Sequence, residues 1–155
     1  MKIGIVIYSW SGHTLSAGEG LKGALSVAGH QADVIEVKIA GEREKGAREF
    51  ELAALPDLEP FEGIVFGAAV EAFSLSPVLT TYLKTIDSLA GKKVACLVTQ
   101  QFPYAWMGGN NAIRQMKKLC EAKGAKAVGS AVVNWSKARR ERTMAAAIDS
   151  LAKVF

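Results

Sequence analysis

The sequence predicts an α/β domain with a doubly wound, five-stranded parallel sheet in the strand order 2-1-3-4-5. Apolar bursts of strand length alternate with longer segments of helical periodicity from one end to the other. These bursts are apolar on both faces, which is typical of parallel strands covered by helices on each side. No internal repeat, low-complexity tract or linker divides the 155 residues. We therefore expect a single domain over residues 1–155.

Five segments have the composition of buried strands. The first, Lys2–Tyr8, is the clearest, because most of its residues are branched or aromatic. The others are Gln31–Val37, Gly63–Ala68, Lys92–Thr99 and Lys126–Val133. A helix after most of the strands fits the order 2-1-3-4-5, in which ligands bind beyond the carboxyl ends of the strands.

Helical periodicity is found between these strands, with one exception. The helical segments are Leu15–Ala28, Pro77–Leu89, Asn110–Ala122 and Arg139–Phe155. The exception is Lys38–Phe61, which contains two glycines and two prolines among mixed charges. Here we expect an irregular loop, with at most one short helical turn, in place of most of the second helix.

Composition excludes several classes of protein. Half of the residues are hydrophobic and 22% are charged, which is typical of a folded chain and not of a disordered one. No apolar run approaches the ~18 residues of a membrane span, and the apolar start is too short for a secretory signal. We therefore expect a cytoplasmic protein without a membrane span. Cys96 and Cys120 lie in apolar surroundings and are expected to fill the core.

Charge is unevenly distributed along the chain. The net charge is +4, but residues 114–155 contain 10 Lys and Arg against 3 Asp and Glu, whereas residues 1–113 contain 9 against 12. The densest basic cluster is Lys137–Arg142. It is either the solvated start of a helix or a docking patch for an acidic partner or a nucleotide phosphate. No nucleic-acid-binding motif accompanies the charge, so nucleic acid is not an expected partner.

The turn after the first strand has the composition of a phosphate-binding loop. It reads Ser9-Trp10-Ser11-Gly12-His13-Thr14 and leads directly into a helix. A helix start presents unpaired N–H groups and the positive end of a dipole. Three hydroxyl groups add donors, and Gly12 permits close approach of the backbone. A simple helix cap would also favour Ser and Thr, but the pattern as a whole predicts a phosphate site.

A competing glycine motif is found in the next segment. Gly18-Glu-Gly20-Leu-Lys-Gly23 has the spacing of a dinucleotide fingerprint. That motif requires the glycines to form the turn between strand and helix, and here they lie about ten residues later. We interpret them as positions where the helix packs closely against the sheet.

Two further segments follow strands three and four and are expected to complete the site. The candidate ligand-binding residues are Ala69, Val70, Glu71, Ala72 and Phe73 in the first, and Thr99, Gln100, Gln101, Phe102, Tyr104, Trp106 and Gly109 in the second. Three aromatic residues within five positions would be costly to expose without a function. They contact either a flat ligand, the protein core or a second copy of the chain.

These three segments resemble the loops of the flavodoxin-like family. Its phosphate loop follows strand one with the pattern Ser/Thr-x-Ser/Thr-Gly-x-Thr, which Ser9–Thr14 matches. Phe61–Pro77 and Thr99–Gly109 are similar to the third strand with its loop and to the second flavin loop. The resemblance implies a cofactor, flavin mononucleotide (FMN), bound by all of Ser9, Trp10, Ser11, Gly12, His13 and Thr14 and by the candidates above. It implies either electron transfer to a redox partner protein or NAD(P)H-dependent reduction of a small acceptor such as a quinone. If the chain is a reductase of this second kind, the resemblance also implies a homodimer.

One position departs from that resemblance. Related sequences often have a proline and then a tryptophan where this chain has Ala69 and Glu71. A carboxylate there would disfavour an anionic reduced flavin, and Phe73 would have to act as the aromatic wall. A non-enzymatic binding module with weak or lost flavin binding is therefore the alternative. No catalytic side chain and no metal site is predicted, because neither a Ser-His-Asp order nor His/Cys ligand spacing is present.

Overall fold

Five parallel strands form the centre of the computed structural model, which describes residues 1–44 and 46–155. All strands, in chain order, are β1 (Lys2–Ile7), β2 (Gln31–Glu36), β3 (Lys38–Ile39), β4 (Leu52–Ala54), β5 (Gly63–Glu71), β6 (Ser74–Leu75), β7 (Lys93–Gln100) and β8 (Lys126–Asn134). The long strands pair in the order β2-β1-β5-β7-β8, all in parallel. The predicted order 2-1-3-4-5 is confirmed.

The helices lie where helical periodicity predicts them, with shifted ends. They are α1 (His13–Val27), α2 (Pro77–Thr85), α3 (Gly109–Ala122) and α4 (Arg140–Ala152). Helix α2 ends four residues before the predicted Leu89. Ile86 and Leu89 are nevertheless buried, so the apolar spacing that suggested a longer helix reflects core packing of an extended segment.

Each face of the sheet carries its own hydrophobic core. Residues of β1 alternate between the two, with Val6 facing one core and Ile5 and Ile7 the other, as the pleat requires. Helices α2 and α3 cover the first core, and α1 and α4 cover the second. The prediction that the two cysteines fill the core is confirmed, since Cys96 and Cys120 are fully buried. Burial raises the pKa of the Cys96 thiol to about 12, so it remains unreactive at neutral pH.

The glycine motif lies inside α1, away from the strand–helix turn. A Cβ at Gly18 would lie 3.4 Å from the Cδ1 atom of Ile7, so this glycine does pack against the sheet. At Gly20 it would lie 2.7 Å from Cδ1 of Ile148 in α4, and at Gly23 it would meet no atom within 4 Å. The interpretation of close packing on the sheet is therefore right for Gly18 and wrong for the other two.

The irregular stretch 38–61 contains no helix among its described residues. Its strands β3 and β4 pair with each other in an antiparallel ladder, separate from the main sheet. The Tyr82 hydroxyl of α2 donates a hydrogen bond to the Pro56 carbonyl at 3.1 Å. This loop is therefore anchored to the domain, and its first half leads Arg43 to the carboxyl edge of the sheet.

Candidate ligand-binding site

The carboxyl ends of β1, β5 and β7 meet at one edge of the sheet and surround a cleft. The chain passes from β1 to the outer strand β2 and then back to β5 on the other side of β1. Such a reversal opens a crevice where α/β proteins bind ligands. The cleft is lined by Tyr8, Trp10, Ser11, His13, Ala69, Val70, Glu71, Thr99, Gln100 and Gln101. Residues from all three predicted segments are thus brought together.

The first loop ends in a left-handed glycine that begins α1. Gly12 has φ of 88°, a conformation that costs residues with a Cβ about 1–2 kcal/mol. The Ser9 hydroxyl accepts a hydrogen bond from the Leu15 backbone N–H at 3.1 Å. Ser9 therefore already caps one amide of the helix start, and its own O–H remains a donor.

Thr14 lies behind the cleft wall. Its side chain is buried, and its Oγ1 lies 2.9 Å from Oγ1 of Thr99, with either atom able to donate. Thr99 lines the cleft at the end of β7. The hydrogen bond therefore fixes the Ser9–Thr14 loop to β7, the strand that leads into the segment Thr99–Gly109.

The end of β5 turns back through a strained hairpin into β6. Ala72 and Phe73 form its two-residue loop, and both have positive φ, 50° and 61°. Hairpin loops of this kind prefer Asn and Gly at those positions. Gly108 permits the turn to approach α3, because a Cβ there would lie 2.9 Å from the Cα of Phe73. Neither Ala72 nor Phe73 is part of the cleft lining.

A buried glutamine shapes the loop after β7. The Gln100 side-chain amide donates hydrogen bonds to the carbonyls of Phe102 at 2.7 Å and Tyr104 at 2.6 Å. Asn134 at the end of β8 donates a further bond to the Phe102 carbonyl at 2.7 Å. Gly109 leaves room for the Gln100 side chain, which a Cβ would contact. Asn134 was not predicted as a site residue.

The predicted aromatic wall lies outside the cleft lining. Phe102, Tyr104 and Trp106 are 44%, 48% and 73% exposed. Phe102 stacks on Phe73 with centroids 5.1 Å apart, and Tyr104 stacks on Trp106 at 5.9 Å. Their contact with a ligand stays a prediction, whereas the exposed aromatic ring in the cleft lining is that of Trp10, which is 50% exposed.

His13 forms part of the cleft wall through two contacts. Its ring stacks on Trp135 with centroids 4.3 Å apart and an interplanar angle of 15°. The Gln101 amide nitrogen lies 3.3 Å from its Nδ1. Trp135, which directly follows β8, was not predicted to contribute. It connects the cleft to the loop before α4.

Glu71 is buried in an ion pair with Arg43. The distance from Arg43 Nη2 to Glu71 Oε1 is 2.6 Å, and the two side chains are 1% and 3% exposed. The Gly46 backbone N–H donates to the same oxygen at 2.7 Å. Burial opposes ionisation of Glu71, but the hydrogen bonds from Arg43 and the Gly46 N–H, together with the positive charge of Arg43, outweigh it and hold the pKa of Glu71 below the ordinary value. The carboxylate is therefore compensated, which the sequence did not indicate.

Arg43 joins three parts of the cleft. Its Nε donates to the Ala47 carbonyl at 2.7 Å and its Nη1 to the Tyr8 hydroxyl at 3.3 Å. The Trp10 indole N–H donates to the Arg43 carbonyl at 3.0 Å. Nothing in the local sequence distinguishes Arg43 from the charged residues around it. Only the fold shows that the irregular stretch supplies this side of the site.

Two further classes of feature are not found in the part of the chain that the structure describes. No group of three or more His, Cys, Asp and Glu side chains is arranged to hold a metal ion. No helix of residues 1–44 and 46–155 has the length and apolarity needed to cross a membrane.

Comparison with known proteins identifies the fold. No protein-family model and no curated protein matches the sequence. Among solved structures, a flavodoxin of Streptococcus pneumoniae TIGR4 shares 14% identity, with 99% of this chain and 97% of that chain covered and a TM-score of 0.74. Oxidised flavodoxin 2 of Bacillus cereus shares 23% identity, with 98% of this chain and 95% of that chain covered and a TM-score of 0.70. A Lactobacillus acidophilus flavoprotein in complex with FMN shares 19% identity, with 84% of this chain and 92% of that chain covered and a TM-score of 0.65. The chain therefore has the flavodoxin-like fold, which confirms the predicted resemblance.

Proposed function

We propose that this chain is an FMN-binding flavoprotein that works in electron transfer. The observation that carries the proposal is the coincidence of a left-handed glycine, a helix start and the exposed Ser11 hydroxyl at the cleft formed by β1, β5 and β7, with Ser9 and the buried Thr14 beside them in the same loop. Similar folds include a flavoprotein in complex with FMN. Electron transfer to a redox partner protein and reduction of a small acceptor with NAD(P)H are the two forms this function can take.

The donors of the first loop fit a phosphate monoester. Ser11 is exposed at the cleft, and the start of α1 follows Gly12. A phosphate dianion would be held by hydroxyl O–H groups, backbone N–H groups and the helix dipole, without a lysine. We assign this role to Ser9, Ser11 and Thr14, with Thr14 acting alongside its partner Thr99.

The rest of the cleft fits a flat, partly polar ring. Its lining combines apolar and aromatic side chains with a few polar groups, as the lining of ordinary small-molecule sites does. Ala69, Val70, Thr99 and Gln100 would form the walls. Trp10 supplies an aromatic face, held by its hydrogen bond to Arg43, and so replaces the tryptophan that the loop after β5 lacks.

The protein's part in the chemistry is to bind, orient and tune. Bound FMN supplies the one-electron and hydride chemistry that side chains lack. The Arg43–Glu71 pair places a compensated charge beside the cleft, so Glu71 does not by itself oppose an anionic reduced flavin. The orientation of Trp10 depends on the same pair through the Arg43 carbonyl.

Titration with FMN and riboflavin tests the proposal. Flavin-stripped protein should quench FMN fluorescence saturably, with micromolar or tighter affinity, and should bind riboflavin much more weakly, because riboflavin lacks the phosphate. Equal affinity for the two would place the phosphate outside the Ser9–Thr14 loop. Failure to bind FMN would contradict the proposal and favour a binding module that retains the fold.

The reductase form has its own assay. FMN-loaded protein is mixed with NADPH or NADH and a soluble quinone, and loss of the nicotinamide absorbance is followed. Turnover above that of free FMN would support reduction of a small acceptor. Reduction by dithionite without any nicotinamide turnover would leave electron transfer between proteins as the function.

A further inference from the structure

The cleft is bordered by a surface of aromatic rings and arginines that the proposed binding of FMN does not require. We define this mouth surface as Phe73, Phe102, Tyr104, Trp106, Trp135, Arg139 and Arg140. It is built from the loops that follow β5, β7 and β8 at the carboxyl edge of the sheet and from the first residue of α4. His13 links it to the cleft by stacking on Trp135.

The rings of the mouth surface are held in place although they are exposed. Phe73 is 55% exposed and Trp106 73%, yet each stacks on a neighbouring ring. Aromatic side chains that are ordered before binding lose little conformational entropy when a partner covers them. Trp, Tyr and Arg are also the residues that most often dominate the binding energy of protein interfaces.

Two arginines lie over rings of this surface. The guanidinium carbon of Arg139 is 5.1 Å from the centroid of Tyr104, and that of Arg140 is 4.7 Å from Trp135. Arg140 also donates two hydrogen bonds to the Trp135 carbonyl, at 3.2 and 3.0 Å. The positive charges are thus fixed on the aromatic surface.

Charge in the segment that joins the mouth surface to α4 is predominantly positive. The segment Lys137–Arg142 contains four Lys and Arg and one glutamate. It runs from the loop after β8 into the first turn of α4, two residues after Trp135, which stacks on His13 of the cleft. A fixed basic patch of this kind accelerates and orients the approach of an acidic surface.

We propose that the mouth surface docks an acidic partner protein. The seven residues lie on three loops and the start of α4, with exposed rings among them. They form a broader surface than one nucleotide base would cover, which favours a protein over a dinucleotide. The partner's acidic groups would meet Arg139 and Arg140, and its apolar atoms would cover Trp106 and Tyr104. That the partner exchanges electrons rests on the proposed function, whereas the docking itself does not.

A pair of matched probes tests the docking. Native cytochrome c has a basic surface, and the same protein with succinylated lysines has an acidic one. Binding of each to the immobilised chain is measured by surface plasmon resonance at low and high salt, with and without FMN. We expect the succinylated form to bind, the native form not to bind, and the affinity to fall as salt screens the charges.

Variants locate the contact. Arg139→Gln/Arg140→Gln and, separately, Trp106→Ala should each weaken binding of the succinylated probe by roughly tenfold or more. Lys118→Gln/Lys126→Gln is the matched control. It removes the same charge from exposed lysines on the far half of α3 and at the amino end of β8, and it should retain most of the affinity. Circular dichroism melts verify that each variant is folded.

Three outcomes would overturn the inference. The first is equal binding of native and succinylated cytochrome c. The second is an equal loss of affinity for the succinylated probe in the arginine and lysine variants. The third is binding of 2′,5′-ADP to the mouth surface without binding of the acidic probe, which would assign the surface to a nucleotide. Failure of the proposed function is seen separately. A chain that binds the acidic probe but not FMN keeps the docking surface and loses the flavin.

Discussion

Arg43 and Glu71, 28 positions apart in the chain, form a buried ion pair with 2.6 Å between Nη2 and Oε1. The pair joins the irregular stretch between β3 and β4 to the end of β5. It also holds Trp10, through the Arg43 carbonyl, at the cleft. Stability, acid sensitivity and ligand binding should therefore all depend on it, and each dependence can be measured.

Breaking this pair from one side should destabilise the domain. Arg43→Met leaves the Glu71 carboxylate buried without its cation and should lower the free energy of unfolding by ~3–5 kcal/mol. Arg43→Met/Glu71→Leu should recover most of that loss, because no buried charge remains. Lys153→Met, which breaks an exposed pair with Asp149, should cost only about 0.3–0.5 kcal/mol. Urea denaturation gives all three values, and a double variant no better than Arg43→Met would contradict the explanation.

Acid should remove the contribution of Glu71. Its pKa is lowered in the folded state from the ordinary 4.5, so folding favours the ionised carboxylate. The resulting stability is complete above that ordinary value and is lost as pH falls through the folded pKa. Urea midpoints measured between about pH 3 and 7 should therefore fall on the acid side in the wild type. Glu71→Gln should flatten this decline, and an unchanged slope would show that other carboxylates cause it.

The same pair should set the potential of bound FMN, with opposite signs for its two members. Glu71→Gln leaves an unbalanced positive charge near the flavin, stabilises an anionic reduced form and raises the midpoint potential. Arg43→Met leaves a negative charge and lowers it. A charge several Å away in a medium of effective dielectric ~20 contributes on the order of 1–2 kcal/mol, or roughly 20–45 mV for two electrons. Spectroelectrochemical titration measures the shifts, and two shifts of the same sign would indicate a purely structural effect.

Hydroxyl groups of the first loop should bind the FMN phosphate selectively. Ser11→Ala removes a hydrogen bond worth ~1.5–3 kcal/mol when the partner is charged, so FMN affinity should fall at least roughly tenfold. Riboflavin affinity should hardly change. Ser26→Ala, at an exposed position on α1, is the control for loss of a hydroxyl. Equal losses for FMN and riboflavin would instead indicate damage to the ring site.

The sequence predicts the sheet and the place of the site because both depend on local patterns. Apolar bursts such as Lys92–Thr99 identify the strands, and the segments that follow them lie at the carboxyl edge by topology. The Arg43–Glu71 pair depends instead on a tertiary contact between an aperiodic loop and a strand end. The sequence does not identify Asn134 and Trp135 as site residues for a similar reason. They lie at the end of β8 and directly after it, and only the fold shows that this end of the strand reaches the cleft.

Local sequence patterns also do not predict the conformations of individual loops. Three aromatic residues between Thr99 and Gly109 indicated a wall for a ring. The Gln100 amide instead binds the Phe102 and Tyr104 carbonyls, which shapes the loop so that its rings lie at the mouth. The nearby turn at Ala72 and Phe73 lacks the glycine or asparagine that would have marked a tight hairpin. Its conformation is set by packing against Gly108 and α3.

The positions of the tryptophans give this domain a built-in optical reporter. Trp10, Trp106 and Trp135 are the chain's 3 tryptophans, and all lie at the carboxyl edge of the sheet. Intrinsic emission therefore records events at this edge, whereas far-ultraviolet dichroism records the helices and strands as a whole. If the edge loosens before the sheet melts, the two signals will separate during denaturation, and quenching by iodide will measure how open the edge is while the rest of the domain is intact.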